Sequence, residues 1–285
     1  MRDTNQIAIS DSVSSRALRA IRQDKITLFC AIFTFLLGLL CAFAPFIAPF
    51  DYDAQNLSLG ASSPSFEHIF GTDILGRDMF TRMLYGGRIS FAVGLLATFV
   101  AAGIGVLYGV ISGMAGGKVD AVMMRCVDIA YSLPFTIFVI LLTVAFGRSI
   151  WLIFIAIGAV EWLTMARIVR ACTLDIKGRA YVEAAKSLGE SNIGIVVRHI
   201  LPNAMASILV CAALTVPSVM LLEAFLSFLG LGVQAPLPSW GSLIKDGAEF
   251  MEDAPWLLIF PAVFFSFTLY SLNRIGETLS RGGGR

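Results

Sequence analysis

The sequence predicts an all-α integral membrane protein with six transmembrane helices, and three observations predict it. Of the 285 residues, 57% are hydrophobic and 14% charged, whereas a globular domain carries about 25% charge. Mean hydropathy is +0.80, which leaves too little polar surface to cover a soluble fold. The apolar stretches are long and continuous, as helices require, and do not alternate as the strands of a transmembrane barrel would. A net charge of +1 gives no bulk attraction to nucleic acid. The same composition excludes intrinsic disorder.

Residues 1–26 read as a polar tail carrying Arg2, Arg16, Arg19, Arg22 and Lys25, and 27–50 as the first span. Ala42-Phe43-Ala44 imitates a signal-peptide cleavage site. Pro45 follows it and the apolar run continues to Phe50, so the segment is expected to remain as a signal anchor. A loop over 51–88 precedes a core of five further spans within 89–276. The second, about 89–112, is rich in Gly94, Ala97, Ala101, Ala102, Gly103, Gly105 and Gly109, small residues that let helix backbones approach, so it is expected to face other helices. After a turn over Gly113 to Arg125 come a third span, about 129–146, kinked at Pro134, and a fourth, about 150–171. The charged segment 172–203 precedes a fifth span, 204–229, containing Pro217. A loop over 230–255, a sixth span over 256–272 and a tail over 277–285 complete the chain.

Six spans place both termini on one side. That side holds 16 of the 21 Lys and Arg residues, and the other holds Arg77, Arg82, Arg88, Arg148 and Lys245. Positive residues favour the cytoplasm, so both termini and 172–203 are expected there, with 51–88 outside. Cys30, Cys41, Cys126, Cys172 and Cys211 stand singly and read as buried small hydrophobes in or beside spans. Trp151, Trp162, Trp240 and Trp256 fall near the expected interfaces and read as anchors. His68 and His199 lie in loops and no two acids share a span at helical spacing, which excludes an intramembrane protease. No phosphate-loop motif occurs in the sequence, so any ATP is expected on a partner.

The segment 172–203 is the most informative. Tyr181 to Gly189 reads as a short helix ended by a left-handed glycine, and Glu190 to Pro202 as a second helical pattern stopped by proline. Together they predict two short helices meeting at a hinge against the inner membrane face. Glu183-Ala184-Ala185, then Gly189, then Ile200-Leu201-Pro202 resembles the EAA signature of ABC importer permeases. The family usually carries a hydrophobic residue where His199 stands, a departure common in its peptide branch. Phe70 to Asp78 with Arg82, Gly87 to Ser90 and Gly94 resembles the C-type permease of dipeptide, oligopeptide and nickel importers. So do Gly116 to Asp120, Met124 to Asp128, Pro134, Glu223 to Gly232 and Pro238 to Gly241. The resemblance runs from about Phe29 to Gly276, with the N-terminal 24 residues outside it.

The resemblance implies a type I (MetI-like) permease fold in a bacterial inner membrane. It implies a chain with no catalysis or cofactor of its own, paired with a second homologous permease among membrane lipids. Two ATP-binding subunits, using ATP and Mg, would drive it, and an extracytoplasmic substrate-binding protein would feed it. Glu183, Ala184, Ala185, Gly189, Leu201 and Pro202 are then the ATPase-coupling residues. Ala184 and Ala185 allow close approach, Glu183 caps or meets a basic partner, and Gly189 sets the angle between the two helices. ATPase closure would move this helix, and spans four and five would carry the motion to the pore. Peptide cargo is favoured over nickel because the spans hold no histidine or ligand cluster. A self-contained channel or secondary transporter is the rival, but no internal repeat supports it.

Gly71, Thr72, Asp73, Gly76, Arg77 and Asp78 form a turn-rich outer motif. It reads either as a contact for the binding protein or outer vestibule, or as a self-satisfied turn orienting the second span. Ionisable groups in hydrocarbon are functional candidates. Asp128 and Arg167 lie near span ends, where pairing or snorkelling explains them. Glu161 and Glu223 lie deeper. Each is open to two readings, a pore group that meets a cargo ammonium or a hydrogen bond between helices, and the second is favoured for Glu223 among its packing residues.

Overall fold

A computed structural model describes residues 19–147 and 150–283, and the described residues contain helices and no strand. The part of the expected N-terminal tail at residues 1–18 and the C-terminal residues 284–285 lie outside them. Helix α1, Lys25–Ala42, begins at Asp24, whose Oδ1 accepts from the Ile26 amide at 3.1 Å. It stops earlier than the apolar run. Pro45 has no N–H and cannot continue the ladder, so the chain makes one further turn, Ala44–Ile47, and leaves the helix.

Helix α2, Met79–Ala115, is 37 residues long and starts ten residues before the expected second span. Asp78 caps it, accepting from the Thr81 amide at 2.7 Å, so the last part of the expected loop 51–88 is helix. The turn expected over Gly113 to Arg125 is replaced by a break at Gly116 and Gly117, both at positive φ, between α2 and α3, Gly117–Ser132. The expected third span is not one kinked helix. α3 and α4, Phe135–Phe146, meet at 82° around Leu133-Pro134, because proline disfavours helical backbone in the residue before it.

Helix α5, Ile150–Lys177, continues beyond the expected fourth span. α6 is Ala180–Ser187. The next helix, α7, runs unbroken over Asn192–Phe228, so the second short helix and the fifth span are one rod. Pro202 does not stop it. A π-turn at Val196–Ile200 resets the hydrogen-bond ladder just before the proline, where its missing N–H and ring would otherwise disrupt it. α8, Trp240–Glu249, lies within the expected loop, capped by Ser239 and Ser242 in a reciprocal pair. α9, Trp256–Gly283, extends through most of the expected tail. Among the described residues four helices, α1, α2, α7 and α9, are long and apolar enough to span a membrane, and counting the bent α3–α4 pair as one span makes five. Helix α5 is a further long helix of 28 residues.

The tightest helix pair is α2 against α5, built on Gly105, Gly109 and Gly113. A Cβ on Gly109 would meet the Ala166 carbonyl oxygen and the Arg170 amide nitrogen, so the backbones touch where the small residues predict. At its N-terminal end α2 packs on α7, α8 and α9 around Trp240, which is fully buried and donates through Nε1 to the Met83 carbonyl at 3.0 Å. Trp240 is therefore a packing centre and not an interfacial anchor, because α8 folds back onto the bundle. Cys126 also departs from expectation by being exposed. Large apolar side chains such as Phe99, Leu107 and Val144 face outward, as lipid contact demands and water would not allow.

Candidate functional site

After α5 the chain forms a helical hairpin from α6 and the start of α7. Asp175 and Arg179 pair at 2.8 Å across the turn after α5. In α6, Val182 is buried and anchors the helix, while Glu183 and Ala184 are exposed and Ala185 is half-buried. Gly189 has φ +86°, and the Glu190 and Gly189 amides donate to the carbonyls of Ala185 and Lys186 at 3.1 and 3.0 Å. This pair of bonds is the glycine-ended closure that the sequence predicts at Gly189.

Glu183 caps nothing. It sits in the first turn of α6, no side chain caps that helix, and its carboxylate makes no ion pair among the described residues. Leu201 is half-buried and Pro202 exposed, inside α7 beyond the π-turn. Glu190 crosses the hinge: its Oε2 lies 3.0 Å from His199 Nε2, and its Oε1 accepts from Arg198 at 3.2 Å. The His199 contact holds its carboxyl below the usual carboxylate range. Sequence reasoning missed this contact, since nothing in a spacing of nine residues marks it before the hinge angle is known. Leu188, Ile193 and Val197 are exposed apolar groups around the same hairpin.

The hairpin is braced from below. Arg170 on α5 grips Asp120 on α3 with two bonds of 2.5 Å, and Ser112 on α2 donates to the same carboxylate. Lys177 donates to the Met114 carbonyl at 2.6 Å. These contacts tie the C-terminal half of α5 to α2 and α3.

The turn motif of residues 71–78 satisfies itself. Thr72 accepts from the Ser62 amide at 2.8 Å and donates to the Gly60 carbonyl at 2.7 Å. Asp73 accepts from the Leu75 and Arg77 amides and from Arg77 Nε at 2.6 Å. Asp78 does not pair with Arg77. It caps α2 and sits 2.8 Å from His68 Nδ1. Gly71 and Gly76 have positive φ, and a Cβ on Gly76 would strike the Asn56 backbone. Buried Arg82 lies 3.7 Å from Asp73 and 3.8 Å from Asp246, joining this turn to α8.

The two deep acids part company. Glu223 is fully buried, its oxygens accepting from Ser90 at 3.1 Å and Ser227 at 2.8 Å. Ser90 also accepts from the Trp240 amide at 3.2 Å, and Ser239 donates to Ser227. Glu223 thus ties α2, α7 and α8 together. Glu161 is half-buried on α5 and lines an open cleft of about 620 Å³ shared with α7.

Residues 105–282 match the family described as binding-protein-dependent transport system inner membrane component. Residues 12–64 match the N-terminal TM domain of oligopeptide transport permease C, so the resemblance reaches into the N-terminal segment that the motifs left out. The chain belongs to this family of membrane components: it is a multi-pass inner membrane permease without catalysis, and membership implies separate ATP-binding and substrate-binding partners. The oligopeptide transport system permease protein OppC of Escherichia coli K12 is 50% identical over 265 residues, 92% of this chain and 88% of that one. OppC of Haemophilus influenzae is 50% identical over 238 residues, 83% of this chain and 76% of that one. The dipeptide transport system permease protein DppC of Bacillus subtilis is 42% identical over 272 residues, 94% and 84% of the two chains. A solved inward-facing MetNI methionine ABC transporter aligns with a TM-score of 0.58 at 21% identity, covering 73% of this chain and 98% of that one. It bears out the type I permease fold.

Proposed function

We propose that this chain is one of two homologous permease subunits of a peptide importer, working by alternating access with both termini in the cytoplasm. Its relatives are named for oligopeptide and dipeptide transport, which supports peptide cargo over nickel. Two ATP-binding subunits hold the ATP and Mg, and an extracytoplasmic protein delivers the peptide. The observation that carries the coupling role is the α6–α7 hairpin. It presents unpaired Glu183 and exposed Ala184 on a helix whose two neighbours are membrane-length rods. A partner that moves α6 turns both rods, and the Asp120–Arg170 clamp carries the motion to α2 and α3.

The test is gentle extraction of the tagged chain, mass spectrometry of what accompanies it, and peptide uptake by the recovered assembly in ATP-loaded vesicles. A second permease, ATP-binding subunits and ATP-dependent peptide uptake are expected. Glu183→Lys is expected to abolish uptake while the chain still inserts. A chain that purifies alone and conducts solute without ATP would replace this reading with the channel.

A further inference from the structure

The cleft between α5 and α7 has the chemistry of a cation site. Its volume of about 620 Å³ lies in the range of small-molecule sites, roughly 300–1,000 Å³. Among the described residues its wall includes Tyr131, Glu161, Thr164, Ser207, Thr215 and Ser218, and no Lys, Arg or His. Glu161 stands about 16 Å along α5 from Ile150, which is about half of a 30 Å hydrocarbon core. Among the described residues its carboxylate makes no ion pair or side-chain hydrogen bond.

The nearby cation does not serve it. Arg167 on the same helix donates to Asp128 at 2.8 Å and lies 4.6 Å over the Tyr131 ring. The hydroxyls of Thr215 and Ser218 are spent as donors on the Cys211 and Leu214 carbonyls of their own helix, which leaves their oxygens as acceptors. One carboxylate and two acceptor hydroxyls with no competing cation form a wall that complements a donor group. A carboxylate at membrane depth without a partner is costly and marks a pathway.

We propose that Glu161 is the charge-selective residue of the translocation site, receiving an ammonium or guanidinium group of the cargo as it passes between α5 and α7. This rests on the peptide-importer reading. Cationic peptides then cross faster than anionic ones of the same length, independently of how the delivering protein ranks them.

The test is the complete importer in proteoliposomes with saturating, peptide-loaded binding protein. Initial uptake of a lysine-containing and a glutamate-containing tripeptide is compared for wild type, Glu161→Asp, Glu161→Gln and Glu161→Lys, with ATP hydrolysis recorded in parallel. The lysine-to-glutamate uptake ratio is expected to persist in Glu161→Asp, fall about three- to tenfold in Glu161→Gln, and invert in Glu161→Lys. A variant that merely destabilised the fold would lower both uptakes together. Wild-type uptake of both peptides with a ratio unmoved by Glu161→Gln and Glu161→Lys would overturn the assignment of Glu161 alone. Failure of wild type to carry any peptide would overturn the peptide reading and this inference with it.

Discussion

Glu190 Oε2 lies 3.0 Å from His199 Nε2, so the residue that follows the α6 closure is tied to the π-turn where α7 begins. The contact spans the hinge and fixes the angle at which α6 is presented. Because Glu190 has a lowered folded pKa, its stabilising contribution is fully present above the ordinary value of 4.5 and is lost as pH falls through the lowered one. Hydrogen-exchange protection factors of the 188–194 amides should therefore be flat from neutral pH to about 5 and fall in stronger acid. Glu190→Gln should lower the protection at neutral pH and flatten the acid transition. Equal acid sensitivity in both proteins would show that the contact does not hold the hinge.

Gly189 occupies left-handed backbone with open space around it, so a larger side chain meets strain and no clash. Gly189→Val is expected to cost about 1–2 kcal/mol locally and to uncouple ATP hydrolysis from uptake. Gly189→Asn, which tolerates this conformation, should retain most coupling. Equal coupling in the two variants would refute the backbone argument.

The glycines of α2 are not equivalent. Gly109→Ala drives a methyl into the backbone of α5 and is expected to destabilise the fold by roughly 1–3 kcal/mol. Gly103, with nothing within 4 Å of an added Cβ, should accept alanine neutrally or with a gain of up to about 1 kcal/mol. Thermal unfolding of the two variants in detergent decides it.

Glu223 holds three helices by accepting from two serines. Glu223→Ala removes the acceptor and leaves a void, at an expected cost of about 2–4 kcal/mol, while Glu223→Gln keeps an acceptor and should stay within about 1 kcal/mol of wild type. Normal stability with abolished transport in Glu223→Ala would return this residue to the pore.

Asp120 and Arg170 join α3 to α5 below the hairpin. Asp120→Asn is expected to weaken the charged bonds by about 1–3 kcal/mol and to reduce uptake per ATP more than ATP hydrolysis itself. The reverse order, hydrolysis lost with the ratio intact, would place the clamp outside the coupling route.

Much of this was legible because the signals are local. Gly189 announces a helix end through its freedom at positive φ, and the spacing of Gly105 and Gly109 marks a face that another helix will occupy. Other features misled because a local rule was overridden. Pro202 reads as a stop, yet the π-turn before it absorbs the missing donor and joins hinge helix and span into one rod. Trp240 reads as an anchor until α8 folds it into the core.

The sequence by itself determined the membrane class, the helical architecture and the hairpin that follows α5, because hydropathy, charge asymmetry and helix-end chemistry act over a few neighbouring residues. Tertiary structure alone decided that Glu223 is enclosed by serines while Glu161 opens on a cleft, and that Glu190 meets His199. The physical reason is that a helix apolar on every side carries no record of which face it turns to lipid, neighbour or cavity. Packing makes that choice, through contacts between residues far apart in the chain.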